Sequence, residues 1–148
     1  MVDGSNGVFG ITSDVARGVC RLLLQRGCSP LLEFTLPTGR RIDVAAISDT
    51  GEITAVEIKV SLSDFRADAK WSAYLGFCDR YYFAVPEGFP HEILPADQGL
   101  IVADKFGAGI VREAPHSPVV AARRKALLIR FARVAAERFA RSADPFAP

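Results

Sequence analysis

The stretch RIDVAAISDTGEITAVEIKV (residues 41–60) predicts two β-strands joined by a tight turn. Both halves are rich in β-branched residues, which favour strands. The Asp-Thr-Gly connection is typical of a three-residue hairpin loop in which glycine adopts the left-handed conformation. If Ser48 and Glu52 close this hairpin, Asp43 lies directly opposite Glu57. The stretch therefore predicts an antiparallel pair that brings two acidic residues together.

The run before it, LLEFTL (residues 31–36), extends this arrangement to a third strand. It is followed by Pro-Thr-Gly, a second short turn with glycine last. If Leu36 and Arg40 close that turn, Glu33 lies opposite Asp43, and three carboxylates form one row across a three-stranded meander. Residues two apart point the same way, so the neighbouring row on this face holds Thr35, Arg41 and Lys59. The opposite face is predicted to be one continuous apolar core of Leu32, Phe34, Ile42, Val44, Ala46, Val56, Ile58 and Val60.

A row of like charges on adjacent strands is destabilising unless something neutralises it. A Mg²⁺ ion binds carboxylate oxygens and water, and a nearby lysine can orient an attacking water or neutralise a charged phosphoryl group. The alternative is a solvated, salt-bridged face of an exposed sheet, which often carries Glu and Lys two residues apart. The apolar residues elsewhere on the same face, such as Ala45 and Ala55, favour a functional site built from Asp43, Glu57 and Lys59.

The rest of the chain predicts helices around this sheet. Thr12 or Ser13 can cap a helix that runs to about Arg26, and Gly27 would end it. A capping box at residues 61–64 begins a second helix, which we expect to continue to about Phe77. After it we expect one further strand, a Pro-rich loop with one helical turn, a terminal hairpin and a last helix. The predicted order is α-βββ-α-β-ββ-α, a mixed α/β domain in which helices cover a largely antiparallel sheet.

Composition predicts one cytosolic domain. The chain has 148 residues, 49% of them hydrophobic, enough for a core without disulfides. We expect a core over residues 12–118, a basic helix over 119–141 and a frayed tail over 142–148. The N-terminus lacks the pattern of a secretory signal and no apolar run could span a membrane. The three cysteines and two histidines show no zinc spacing, and we expect reduced structural thiols.

Basic residues are concentrated near the C-terminus. Residues 119–142 carry seven Lys or Arg against one acid, while the net charge of the whole chain is +1. The last helix is predicted to place an apolar stripe opposite a basic stripe of Arg123, Arg130, Arg133 and Arg141. DNA phosphates would suit that stripe. Solvated arginines and docking on an acidic partner are equally open interpretations.

Ile42-Asp43, thirteen intervening residues and Glu57-Ile58-Lys59 together resemble the PD-(D/E)XK nuclease superfamily. The resemblance implies a restriction-endonuclease-like fold in which Asp43, Glu57 and the Ile58 carbonyl bind Mg²⁺ or Mn²⁺. Lys59 would serve the attacking water. Ile42 replaces the usual proline before the Asp, and the opening helix offers Asp14 where many relatives have a glutamate. Glu33 would then be a substitute metal ligand, which leaves the number of metals open.

The segments RRIDVAAIS (40–48) and VEIKVSLSDFRADAKWSAYLGFCDRYYFAVP (56–86) are similar, more narrowly, to the MmcB-like DNA repair family. That resemblance implies a cytoplasmic bacterial protein whose partners are DNA and other repair proteins. It also marks Lys70 as an additional active-site or phosphate-contacting residue, and a surface lysine is the alternative. The expected function is that of a metal-dependent endonuclease that hydrolyses DNA phosphodiester bonds. Two alternatives stay open: a non-catalytic DNA-binding or protein-docking accessory that retains the fold, and a structural interaction domain without a nucleic acid partner.

Overall fold

A six-stranded sheet organises residues 4–67 and 71–148, the part of the chain that the computed structural model describes, and its strands lie side by side in chain order. The strands β1 to β6 are Ser29–Thr35, Arg41–Ile47, Ile53–Ile58, Arg80–Val85, Gly99–Ala103 and Ala108–Arg112. The helices α1 to α3 are Gly4–Gln25, Leu62–Ala67 and Ala121–Ala143, and 3₁₀ segments occupy Trp71–Phe77 and His91–Ile93. The mixed α/β sheet flanked by helices is confirmed.

The two tight turns have the predicted geometry. The Leu36 amide donates to the Arg40 carbonyl at 2.7 Å, and the Ser48 amide donates to the Glu52 carbonyl at 3.0 Å. The third loop residues, Gly39 and Gly51, have φ values of 87° and 84°, which only glycine adopts without strain. The β1–β2 and β2–β3 registers follow from these closures. The predicted meander is confirmed.

The sheet is mixed rather than largely antiparallel. Strand β4 runs parallel to both β3 and β5, whereas the other three neighbouring pairs are antiparallel. Parallel neighbours need a crossover connection. The α2 helix and the first 3₁₀ segment lie in the connection from β3 to β4, and the Pro-rich loop with its 3₁₀ turn, as predicted, connects β4 to β5.

Helix boundaries differ from the prediction at two places. Helix α1 already begins at Gly4 rather than after a cap at Thr12 or Ser13, since no proline interrupts the residues before them. The second predicted helix starts correctly, because the Ser61 hydroxyl accepts the Asp64 amide at 3.1 Å, but Trp71–Phe77 is 3₁₀. In a 3₁₀ helix residues three apart eclipse each other, which lets the rings of Trp71 and Tyr74 both pack on Tyr81.

Two apolar layers cover the two faces of the sheet. The layer under α1 contains residues such as Val19, Val44 and Val56, and the layer under α3 contains residues such as Ala55, Phe83 and Leu127. The N–H groups at the end of α1 bond to preceding carbonyls around Gly27, whose φ is 75°. The predicted glycine stop is therefore confirmed.

The prediction of one continuous core from Leu32 to Val60 is wrong for three residues. Leu32 itself is 45% exposed. Phe34 and Ile42 belong to the α3 layer, and the Phe34 ring lies 5.7 Å from that of Phe131. Glu33 has a φ of 53°, which departs from strand geometry. Pairing between β1 and β2 keeps its register on both sides of Glu33 and Asp43 but omits that pair. The side-chain alternation therefore reverses at this point, where Leu32, Glu33 and Asp43 border a small cavity.

Helix α3 is held to the sheet by its arginines. Asp79 is 1% exposed; its carboxylate accepts the Ile53 and Val119 amides at 2.7 and 2.9 Å and the Arg124 guanidinium at 2.6 Å. Burial raises the pKa of Asp79, but these donors outweigh it and lower that pKa to about 2. The ion pair thus fixes the start of α3 against β3 and β4.

Further arginines of α3 bond to the edge strand β1. The Arg130 Nε donates to the Thr35 carbonyl at 2.6 Å, and the Arg138 guanidinium donates to the carbonyls of Leu32 and Glu33. Arg130, one of the four arginines of the predicted basic stripe, therefore forms a hydrogen bond within the fold. Within residues 4–67 and 71–148, no helix is long and apolar enough to cross a membrane.

Candidate metal centre

An open cleft of about 930 Å³ lies where β2 and β3 meet the β1–β2 turn and the start of α2. Its lining is mostly polar. It comprises Thr12, Thr35, Gly39, Arg41, Asp43, Glu57, Ile58, Lys59, Val60, Ser61, Ser63, Asp64 and Tyr74. Four residues predicted from the two hairpins to share a face with Asp43, namely Thr35, Arg41, Glu57 and Lys59, are therefore found together.

Asp43 and Glu57 are joined across β2 and β3. The Asp43 carboxylate accepts the Ile58 amide at 2.8 Å, and the Glu57 carboxylate accepts the Asp43 amide at 3.4 Å. Glu57 is only 4% exposed. Each side chain is thus held by the backbone of the neighbouring strand, and both face the cleft.

Burial disfavours the charged form of both carboxyl groups. Burial, followed by the charge of Asp43, raises the pKa of Glu57 to about 9. Burial also raises the pKa of Asp43, although its hydrogen bonds and the charges of Lys59 and Arg41 act in the opposite direction. Two carboxylates cannot both ionise at close range without a compensating cation. The pair is therefore an oxygen-donor site that lacks one positive charge.

Lys59 lies beside the acids at the end of β3. It is 5% exposed, and its amide donates to the Ala84 carbonyl at 2.9 Å, which holds the chain against β4. Its ammonium lies 3.9 Å from the Asp64 carboxylate on the first turn of α2. The Ser61 cap sets the position of that turn. Asp64 therefore lies at the cleft because the cap starts α2 directly after β3.

Glu33 does not join the acidic pair. Its side chain is 65% exposed and lies 4.0 Å from the Arg41 guanidinium. It borders a smaller cavity on the other side of Asp43. Within the described ranges, 4–67 and 71–148, no three His, Cys, Asp or Glu side chains are grouped to hold a metal. The left-handed backbone at Glu33, which the hairpin register could not reveal, turns its side chain away from the row predicted for it.

Other site predictions have simple outcomes. Ile58 borders the cleft and donates its amide to Asp43. Lys70 lies outside the described residues. Asp14 is exposed and is not among the cleft residues, whereas Thr12 from the same helix is. The three cysteines are free thiols, as predicted.

Asp64 and Tyr74 are among the cleft residues that the sequence did not predict. Asp64 was seen as part of a helix cap, and only the fold shows its carboxylate facing Lys59. Tyr74 donates its hydroxyl to the Arg41 carbonyl at 3.2 Å and so supports the strand that carries Asp43. The capping box signals the place of Asp64 on the helix, but nothing local to Tyr74 signals its contact, 33 residues away.

The donor set fits a hard divalent cation. Mg²⁺ prefers oxygen ligands, commonly one or two carboxylates completed by water and phosphate oxygens. Asp43 and Glu57 supply the carboxylates, and the open cleft leaves room for water and a phosphate group. A cation there would remove the electrostatic cost that raises the pKa values of both acids.

Comparison with known proteins points to one family. A family model described as DNA repair protein MmcB-like matches residues 9–146. A solved structure of a protein of unknown function from Silicibacter pomeroyi is 45% identical in sequence and superposes with a TM-score of 0.90, covering 93% of this chain and 94% of that one. No curated protein matches.

Proposed function

Because this chain belongs to the family of MmcB-like DNA repair proteins, we propose that it is a Mg²⁺-dependent nuclease that hydrolyses phosphodiester bonds in DNA. The observation that carries the proposal is the half-buried Asp43 paired with the buried Glu57, beside the buried Lys59, in one open polar cleft. The same three residues support a restriction-endonuclease-like arrangement of the sheet.

In this proposal Asp43, Glu57 and the Ile58 carbonyl hold the ion, with Mn²⁺ as a possible replacement. A bound divalent cation lowers the pKa of water and stabilises charge at a phosphoryl group. Lys59 would orient the attacking water or neutralise charge that develops on the phosphate, because its ammonium is confined beside the acids. The hydrogen bonds from the Ile58 and Asp43 amides keep both carboxylates aimed at the same point.

A non-catalytic accessory that binds DNA or a repair partner is the rival function. One observation favours it: among the described residues no third His, Cys, Asp or Glu completes the acidic pair. Mg²⁺ usually keeps several waters and needs few protein ligands, which is why we favour the nuclease. The accessory would retain the fold and bind DNA without cutting it.

A direct test combines cleavage with metal binding. The protein is incubated with Mg²⁺ or Mn²⁺ and single-stranded, nicked, flapped and branched DNA, beside Asp43→Asn and Lys59→Met. We expect wild-type cleavage that both substitutions abolish, while Glu92→Gln, an exposed change on the far loop, leaves it intact. Calorimetry should show metal binding lost in Asp43→Asn and kept in Lys59→Met. DNA binding without cleavage under every metal condition would establish the accessory instead.

A further inference from the structure

Arg41 lies at the mouth of the cleft beside the proposed metal ligands. It precedes Asp43 by two residues on β2 and lines the same cleft. Its side chain is 58% exposed. An exposed guanidinium that flanks a site for phosphodiester chemistry is well suited to a phosphate group, which it can bind through two parallel hydrogen bonds.

The backbone that carries Arg41 is fixed while its side chain has room to move. Arg41 pairs with Thr35 in the β1–β2 ladder, and its carbonyl accepts the Tyr74 hydroxyl at 3.2 Å. The guanidinium can therefore change its partner without any change in the sheet.

In the free protein that partner is Glu33. The two charged groups are 4.0 Å apart and both are more than half exposed. Exposed ion pairs of this kind contribute little and are screened by salt, so a phosphate can displace the carboxylate. Glu33 is nevertheless held in place, because its φ of 53° sets the direction of its side chain and Arg138 donates to its carbonyl at 2.8 Å.

We propose that Arg41 binds a phosphate of the DNA strand that enters the cleft, and that Glu33 occupies its guanidinium until DNA arrives. The inference rests on the proposed function in that the ligand is DNA, but it does not require cleavage. It gives Glu33 a role other than that of a metal ligand. A strand bound by Arg41 would pass the Asp43–Glu57 pair directly.

DNA binding measured by fluorescence anisotropy in EDTA tests this without any contribution from catalysis. We expect Arg41→Gln to weaken binding by about tenfold, the usual effect of losing a charge-assisted hydrogen bond. The slope of log K against log salt should become shallower by about 0.7 for single strands and about 0.9 for duplex, the loss of one phosphate contact. Glu33→Gln should tighten binding by about two- to fivefold, since it removes an exposed competing ion pair.

The double variant separates this competition from a general charge effect. If Glu33 acts through Arg41, Glu33→Gln adds nothing once Arg41 is Gln. The matched control is the half-exposed pair of Arg26 and Glu113, 3.3 Å apart and outside both the cleft and the basic stripe, whose single Gln substitutions should change affinity much less.

Equal weakening by Arg41→Gln and Arg26→Gln, or a Glu33→Gln gain that persists in the double variant, would overturn the proposal. Unchanged DNA binding in Arg41→Gln would overturn the proposal for Arg41. It would not affect the separate proposal that Asp43 and Glu57 support cleavage. Weakened binding in a protein that never cleaves would support it and reject only the nuclease. Absence of wild-type DNA binding, with or without Mg²⁺, would refute both ideas.

Discussion

Replacing Glu57 by glutamine should make the protein more stable in the absence of metal, and increasingly so as pH rises. The pKa of Glu57 is raised from 4.5 to about 9 in the folded protein by burial and by Asp43, whereas the unfolded chain has the ordinary value. Between these values the folded state holds a proton that the unfolded state has released. Stability from this group is therefore complete below the unfolded pKa and is lost as pH rises towards the folded one.

The size of the effect follows from that single proton. Each pH unit in this window costs the wild-type protein about 1.4 kcal/mol of unfolding free energy. Glutamine keeps the neutral, hydrogen-bonding shape of the protonated acid and does not titrate. Between pH 6 and pH 8 the stability difference between Glu57→Gln and wild type should therefore grow in favour of the variant by as much as about 3 kcal/mol.

Urea denaturation at several pH values, with EDTA or with Mg²⁺, measures this difference. In EDTA we expect the two stability curves to diverge as pH rises. Addition of Mg²⁺ should stabilise the wild type most at high pH, where the ion competes with fewer protons, and should not stabilise Glu57→Gln. Glu92→Gln, on an exposed side chain, should follow the wild type. Parallel curves for Glu57→Gln and wild type would refute the idea that Asp43 and Glu57 share a site short of one positive charge.

Four further substitutions test the site and the packing of the fold around it. Lys59→Met should lower cleavage by about 100-fold or more but keep the Mg²⁺ stabilisation in urea melts; loss of both would mean that Lys59 is needed for the site to form. Asp79→Asn should cost about 3–5 kcal/mol in the same melts because it leaves Arg124 without its buried partner, and an unchanged midpoint would contradict that anchor. Gly18→Ala should destabilise by about 1–3 kcal/mol, since its Cβ would lie 2.0 Å from the Asp104 carbonyl oxygen. Gly10→Ala, with open space around it, should instead gain up to about 1 kcal/mol in thermal unfolding.

The sequence is most informative where the structure depends on local geometry. A three-residue turn ending in glycine determines which residues of two strands face each other, so the placement of Asp43 opposite Glu57 could be predicted without coordinates. The same logic placed Lys59 and Arg41 on that face. These predictions needed only neighbours close in sequence.

Features that depend on distant contacts could not be predicted. The reversal at Glu33 puts Phe34 and Ile42 in the layer under α3 instead of the layer that holds Val44 and Val56. The Glu33 carbonyl is bound by Arg138, 105 residues away. Strand pairing arithmetic assumes regular alternation and therefore counted Glu33 among the row of acids. The Asp79–Arg124 ion pair spans 45 residues, and an amphipathic pattern alone cannot tell an anchoring arginine from a solvated one.

The bonds from Arg130 and Arg138 to β1 also affect how the protein behaves when it is shortened. An outer strand with unsatisfied carbonyls invites pairing with the same strand of another molecule. Removal of the last helix would uncover these groups together with the apolar layer beneath. A fragment ending before residue 121 is therefore expected to precipitate or self-associate, even though every residue of the metal site would still be present.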